Sequence, residues 1–322
     1  MAKFQSASSL REISPGRKLH EWITHFFMRV RGAWAPNRFA WLTEDLDQYH
    51  SYTQRLVDKP LTECKVLEVG FGARPYRLFA LTGTAADAVG MDLDVPLLRG
   101  TPKEILTIWR ANGAERALKS VARHFLFDMP ERGALRAAIQ KAGGHFSIDP
   151  SRFIIGDASE DRTWVRLAPS SFDLIVSEDV LEHVAADRLP QLLEQIANHL
   201  RPNGIALLRP FIFTGIAGNH LPEWYPHVVD KRQERRSAPW EHLRMDRFRA
   251  NTFLNRLTRA DFRSLIAEHF DILEENVKFP DLGRQYLNFE LRNELKHYDD
   301  DELFSNSVLF VLRRRRDQAA IE

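Results

Sequence analysis

Cysteine is nearly missing from this chain. Cys64 is the only one in 322 residues, which excludes an internal disulfide and any zinc cluster built on several thiolates. A reducing, cytoplasmic setting is the expectation, and a metal would need His and carboxylate ligands. Long apolar runs are missing too. The best candidate, Ile205 to Phe213, is broken by Arg209 and Pro210 and falls well short of the roughly 20 residues needed to cross a bilayer. Met1–Lys18 is Ser-rich and basic, without an apolar core leading to a small-residue cleavage site, and reads as a short lead. Net charge is close to nil, with 45 Lys and Arg against 44 Asp and Glu, so the chain as a whole shows no footprint for DNA. Gly and Pro number 16 each against 44% hydrophobic residues. That balance excludes collagen-like and low-complexity chains and predicts a soluble globular protein with a well-buried core.

Short apolar runs of strand length alternate with helical patterns, as in a parallel sheet built from β-α-β units. Seven such runs occur: Lys65–Gly70, Ala88–Leu93, Phe153–Gly156, Phe172–Ser177, Ile205–Phe213, Phe270–Val277 and Ser307–Leu312. A helix is expected over Pro75–Gly83, and another over Ala186–Leu200, stopped by Pro202-Asn203-Gly204. Three stretches stand outside the alternation. Residues 1–60 read as an N-terminal helical cover, 95–152 as a helical insertion and 215–260 as a second insertion, within a main domain over 61–322. The first stretch holds an amphipathic helix with Leu19, Trp22, Ile23, Phe26, Phe27 and Val30 on one face. Such a stripe suits peripheral membrane contact as well as packing on its own domain. Charge is uneven: nine basic residues face six acidic ones in 1–60, ten face five in 95–152 and nine face five in 215–260. The additions are basic and the remainder acidic, a distribution that either draws an anionic substrate or is ordinary solvated surface.

The chemistry concentrates where Val66-Leu67-Glu68-Val69 runs into Gly70-Phe71-Gly72 and then toward a helix. Two glycines let the backbone turn sharply and approach a ligand, and the helix start offers free N–H groups. The next strand ends in Asp92, 22 residues after Gly70, the spacing at which such folds present an acid to ribose hydroxyls. Pro75 occupies the place where a dinucleotide fingerprint wants its third glycine.

Glu68-x-Gly70-x-Gly72 resembles the first motif of the class I S-adenosylmethionine-dependent methyltransferases. The resemblance continues in order through Asp92, Gly156-Asp157-Ala158, Ser171-Phe172-Asp173-Leu174-Ile175 and Leu200-Arg201-Pro202-Asn203-Gly204-Ile205, covering about residues 62–215. Arg74 stands where the family has a third motif glycine. The resemblance implies a Rossmann-like, doubly wound seven-stranded sheet with its last strand antiparallel, plus helical additions, and S-adenosylmethionine as cofactor. It implies that the backbone around Glu68, Gly70 and Gly72 holds the methionine portion, Asp92 with Leu93 the ribose, Asp157 with Ala158 the adenine, and that Glu178 borders the cofactor. It resembles most the small-molecule members of the type 11 kind, which modify saccharides, lipids and secondary metabolites, and so implies a small-molecule or glycan acceptor.

Ser177-Glu178-Asp179-Val180-Leu181-Glu182-His183 follows the fourth strand, where the family opens toward its acceptor. If this stretch starts a helix, Asp179, Glu182 and His183 share one face. They resemble an acidic-x-x-Glu-His pattern that some relatives use near the acceptor, in cases with a divalent metal. The readings are a helix start whose acids favour the dipole, a base role for His183, and a Mg²⁺ or Mn²⁺ site; no metal is assigned, and His183 and His220 are the catalytic candidates. His220 opens a segment rich in aromatics and imidazoles, Asn219–His227 and Pro239–Arg244, which either stacks on a planar or sugar-like acceptor or plugs the core. The helix expected before the sixth strand starts near Thr258 or Asp261. Competing readings are an RNA or protein methyltransferase, a non-catalytic nucleotide-binding module of the same fold, and an NAD-dependent oxidoreductase. Against the first stand the near-neutral charge and the lack of an Asn/Asp-Pro-Pro-aromatic tetrapeptide.

Overall fold

A computed structural model describes residues 38–229, 235, 237–245 and 252–315. The amphipathic stretch Leu19–Val30 lies outside them. Seven strands form one mixed sheet among the described residues: β1 (Lys65–Val69), β2 (Asp87–Asp92), β3 (Phe153–Ile155), β4 (Phe172–Glu178), β5 (Leu200–Arg209), β6 (Phe270–Val277) and β7 (Val308–Arg314). Their order is β3-β2-β1-β4-β5-β7-β6. β1 runs parallel to β2 and β4, and β2 to β3, whereas β7 is antiparallel to β5 and β6. The Rossmann-like sheet with its last strand antiparallel is therefore present.

Residues 38–177, 191–207 and 312–315 make up one compact unit. Val66, Leu67 and Val69 on β1 and Leu174, Ile175 and Val176 on β4 have no exposed surface; a parallel strand covered on both faces needs such a continuous apolar run. Helix α1 (Ala40–Leu56) precedes the sheet, and α2 (Tyr76–Thr84) follows the glycine loop, burying Leu78 and Leu81. Between β2 and β3 the chain builds α3 (Pro102–Asn112), α4 (Ala114–Arg123) and α5 (Met129–Lys141). Thr101 and Glu104 form a reciprocal capping box at the start of α3, with Pro102 at its first position. Leu97, Ile108 and Ala117 form a small core of their own. Between α4 and α5 a π-turn spans His124–Asp128, a widening that rotates the side chains of the following residues.

The described residues of 178–190 and 208–311 make up the other unit. Its core gathers Ile216, Ala217, Trp224, Val229, Trp240, Leu295, Leu303 and Phe304. Trp224 and Trp240 are 1% and 0% exposed, so these two aromatics of the second insertion are core plugs rather than stacking platforms. Helix α7 (Arg259–Ala267) is capped by Thr258, whose hydroxyl accepts from the Asp261 amide, in agreement with the start read from sequence.

Two elements depart from the pattern reading. Helix α6 (Leu189–His199) ends at His199, and β5 begins at Leu200, running through Pro202-Asn203-Gly204 rather than after it. The terminal helix carbonyls of Asn198 and His199 accept from the Ser170 and Ser171 amides, so the helix is closed before the proline is reached. β5 then stops at Arg209, since Pro210 has no N–H to donate; beyond it only the single bridge Phe211–Ser307 continues.

Candidate functional site

The loop after β1 turns on two positive-φ glycines, Gly70 at 85° and Gly72 at 65°. The Gly70 amide donates to the Met91 carbonyl at 2.8 Å. The Gly72 amide donates to Asp92 Oδ2 at 2.6 Å, and the Asp94 amide donates to Oδ1 of the same carboxylate at 2.7 Å. Each carboxylate oxygen keeps a second lone pair, so Asp92 is aimed by the loop and still able to accept from two hydroxyls. Burial raises its pKa, against the pull of the Asp94 and Gly72 amides. A Cβ built on Gly72 would meet nothing within 4 Å, which leaves a cradle of open space beside the carboxylate.

Arg74, in place of a third glycine, reaches the insertion. Its Nε lies 2.8 Å from Asp128 Oδ1 and its Nη1 3.6 Å from Glu131 Oε2. Tyr76 donates to the same Glu131 oxygen at 2.7 Å, and Arg123 donates to the Ala73 carbonyl at 3.0 Å. The π-turn carries Asp128, so a helical insertion and the glycine loop share one buried ionic network. Arg74 Nη2 is buried without a hydrogen-bond partner, a donor that fits the carboxylate of an amino-acid ligand. Asp128 and Glu131 were not singled out from sequence; an acidic pair three residues apart in a basic insertion was the available signal.

The other residues read from sequence fall as follows. Glu68 is 1% exposed and accepts from Arg77 at 3.3 Å, while Arg77 also pairs with Asp45 at 2.9 Å. Asp157 Oδ1 accepts from the amide and hydroxyl of Ser159, the Ala158 carbonyl accepts from Trp164 Nε1 at 2.8 Å, and Leu93 is 61% exposed. The Gly156 amide donates to the Asp92 carbonyl at 2.9 Å, which brings the ends of β2 and β3 together. Asp173 accepts from the Lys65 amide, Lys59 and Arg201, and Glu178 is buried against Arg209; both carboxylates are committed to fixing strands.

In the second unit, Glu182, His183 and His220 come together, although 37 residues separate the two imidazoles in sequence. The stretch is not an α-helix. Asp179 has φ 57°, and Leu181–His183 forms one 3₁₀ turn. Asn255 explains this: its side-chain nitrogen donates to the Leu181 and Val184 carbonyls at 2.7 and 3.0 Å, and its amide donates to the Glu182 carbonyl at 2.9 Å. Those carbonyls are thereby withdrawn from a helical ladder. His183 Nδ1 lies 2.9 Å from the Phe253 carbonyl, which assigns it as the N–H donor and leaves Nε2 as the ring's acceptor. His220 has φ 56°, held by its amide bond to the Ala217 carbonyl and by the Asn219 side chain accepting from Leu221. Burial, and then the Asp179 carboxylate, push the Glu182 carboxyl well up. Burial lowers His183, and burial with the neighbouring His183 lowers His220 to about 3.

Sheet order, the two-glycine turn and the acid closing β2 define an S-adenosylmethionine-dependent methyltransferase of class I. A model of the methyltransferase domain family matches residues 41–269, and the chain belongs to that family. Solved structures that align with it include a protein from Pyrococcus horikoshii at 14% identity, over 87% of this chain and 92% of that one, with TM-score 0.43. An S-adenosylmethionine-dependent methyltransferase from Mesorhizobium loti aligns at 14% identity over 84% and 100%, TM-score 0.40. One from Methanosarcina mazei aligns at 15% over 80% and 94%, TM-score 0.40. No curated protein matches the sequence. Among the described residues no helix is long and apolar enough to cross a membrane.

Proposed function

We propose that this methyltransferase modifies an oxygen of a small-molecule, saccharide- or lipid-type acceptor, with the cofactor held by the β1 loop. S-adenosylmethionine supplies, when bound, a methyl already activated by its sulfonium, so the protein's work is alignment and exclusion of water. Asp92 accepts from the ribose hydroxyls, Gly70 and Gly72 let the backbone close on the methionine portion, and Arg74 Nη2 takes its carboxylate. Asp157 and Ala158 border the adenine. The observation that carries this reading is the Asp92 carboxylate fixed by the Gly72 and Asp94 amides beside open space.

The acceptor side is assigned to the Glu182, His183 and His220 group and the 215–260 insertion that supplies His220. Chain connectivity supports it: the group follows β4, whose Ser177 pairs with Val69, the residue before Gly70. A hydroxyl nucleophile must shed its proton, and a cluster of one carboxyl and two imidazoles is equipped to promote that, by accepting the proton or, with a cation held there, by acidifying the hydroxyl. The near-neutral charge of the whole chain favours a metabolite over a polyanion. The test is methyl transfer from labelled S-adenosylmethionine to panels of hydroxylated metabolites, saccharides and lipids, beside RNA and protein. Labelling of an oxygen on a small acceptor is expected; labelling confined to RNA or protein, or failure to bind S-adenosylhomocysteine, overturns the reading.

A further inference from the structure

We propose that Glu182, His183 and His220 bind one first-row divalent transition cation, with coordination positions left open to an oxygen ligand. Glu182 Oε1 lies 3.9 Å from His183 Nε2 and 3.8 Å from His220 Nε2, and one ligand atom of each residue lies within 4.8 Å of the others. Glu182 is 3% exposed. Both of its carboxylate oxygens and His220 Nε2 are buried without a hydrogen bond of normal geometry; the backbone amides of Glu182 and Phe211 are the donors nearest the carboxylate. Buried polar atoms are almost always satisfied, and a cluster of orphans converging on one point marks a missing partner.

The spacing identifies that partner. Separations near 3.8 Å are too long for an N–H···O bond between the groups. A water bridging two of them at normal angles would want about 4.5 Å between its partners. A tetrahedral cation with bonds of about 2.1 Å wants about 3.4 Å, so each of the two carboxylate–imidazole separations would close by about 0.4 Å, with the two imidazoles, already within 4.8 Å, drawn in by the same ion. Two imidazoles and one carboxylate suit Zn²⁺, Mn²⁺, Fe²⁺ or Co²⁺, whereas Mg²⁺ and Ca²⁺ prefer oxygen alone. The supporting contacts are those of a metal site. The Phe253 carbonyl at His183 Nδ1 turns Nε2 toward Glu182, and Asn255 fixes the turn that carries Glu182 and His183. Asp179, the acid of the same sequence pattern, is not needed as a ligand.

Three protein ligands leave room for a hydroxyl or water oxygen, the arrangement of a reactive rather than a structural site. What fills that position rests on the proposed function; cation binding itself does not. The test uses the full chain, stripped with a chelator, and titrated with Co²⁺ by visible absorption and calorimetry and with Mn²⁺ by electron paramagnetic resonance. One equivalent is expected to bind, with excess Mg²⁺ failing to displace it. Glu182→Gln and His183→Asn should each weaken Co²⁺ binding by about 100-fold or more, in preparations whose circular dichroism matches the parent. Absence of saturable Co²⁺, Mn²⁺ and Zn²⁺ binding by the folded parent overturns the proposal whether or not the variants fold. Unchanged affinity in folded variants overturns the assignment to these residues. Titration of S-adenosylhomocysteine in the same preparation separates the two claims: nucleoside binding without the cation sinks this inference alone, and cation binding without the nucleoside sinks the functional reading.

Discussion

Replacing Gly72 by alanine separates backbone strain from loss of ligand space. Gly72 sits at φ 65° with nothing within 4 Å of an added Cβ, so the free protein pays only for the left-handed conformation, about 1–2 kcal/mol for a residue with a side chain. In a domain of this size that lowers the melting temperature by only a few degrees. The bound state is different. A methyl projecting into the cradle beside Asp92 must displace whatever lies there, and overpacking of this kind costs about 1–3 kcal/mol, a loss of roughly 5- to 150-fold in affinity. Gly143 supplies the control, since it also has positive φ, 80°, and no neighbour within 4 Å of an added Cβ. Gly143→Ala should carry the same strain and leave S-adenosylhomocysteine affinity untouched. Thermal melts and isothermal calorimetry on both variants measure the two quantities separately. If Gly72→Ala shows the expected fall in melting temperature but binds the nucleoside as tightly as the parent, no ligand rests against this loop and the cofactor site is misplaced.

Other predictions follow from the same contacts. Asp92→Ala removes two charge-assisted bonds to the ribose, about 3 kcal/mol in all, and should weaken S-adenosylhomocysteine binding about 100-fold; a change below threefold by calorimetry contradicts the assignment. Arg74→Gly restores the family's usual motif yet should weaken binding by about tenfold, because it frees the loop from Asp128 and Glu131 and removes the Nη2 donor; tighter binding would refute the clamp. Asp173→Asn should destabilise the chain at neutral pH by about 2 kcal/mol in urea unfolding. Although burial opposes it, the Lys65 amide with Lys59 and Arg201 holds the Asp173 carboxyl below its ordinary range, so this stabilisation is present above the unfolded pKa, near 3.9, and disappears as pH falls through the folded value. The gap between parent and variant should therefore close in acid; a gap that is constant from pH 7 to acid refutes the ionic account.

The centre of the sheet was legible because β1 and β4 are covered on both faces and must read as unbroken apolar runs, and the two-glycine turn because positive φ leaves few choices of residue. Asp92 followed from spacing alone. Side-chain partners did not follow, since they come from distant parts of the chain. Nothing near Arg74 announces Asp128, which a π-turn brings into reach, and nothing near His183 announces His220 or Asn255. Local pattern even misled at 179–188: the acids and His183 have helical spacing, but Asn255 takes up the carbonyls a helix would use. The aromatic loop was ambiguous because a tryptophan that plugs a core and one that stacks on a ligand have the same neighbours in sequence, and Trp224 and Trp240 plug.

The Arg74 network makes a piece of ligand-gripping backbone depend on helices inserted some thirty to sixty residues later. Neither change is neutral without the other: an arginine in the turn with no acids to meet it is a stranded buried cation, and the acids without it keep only Arg38 at Glu131 and Arg123 at Asp128. Grafting this turn onto a relative, or trimming the insertion to make a smaller enzyme, should fail unless Arg74, Tyr76, Asp128 and Glu131 travel as a set.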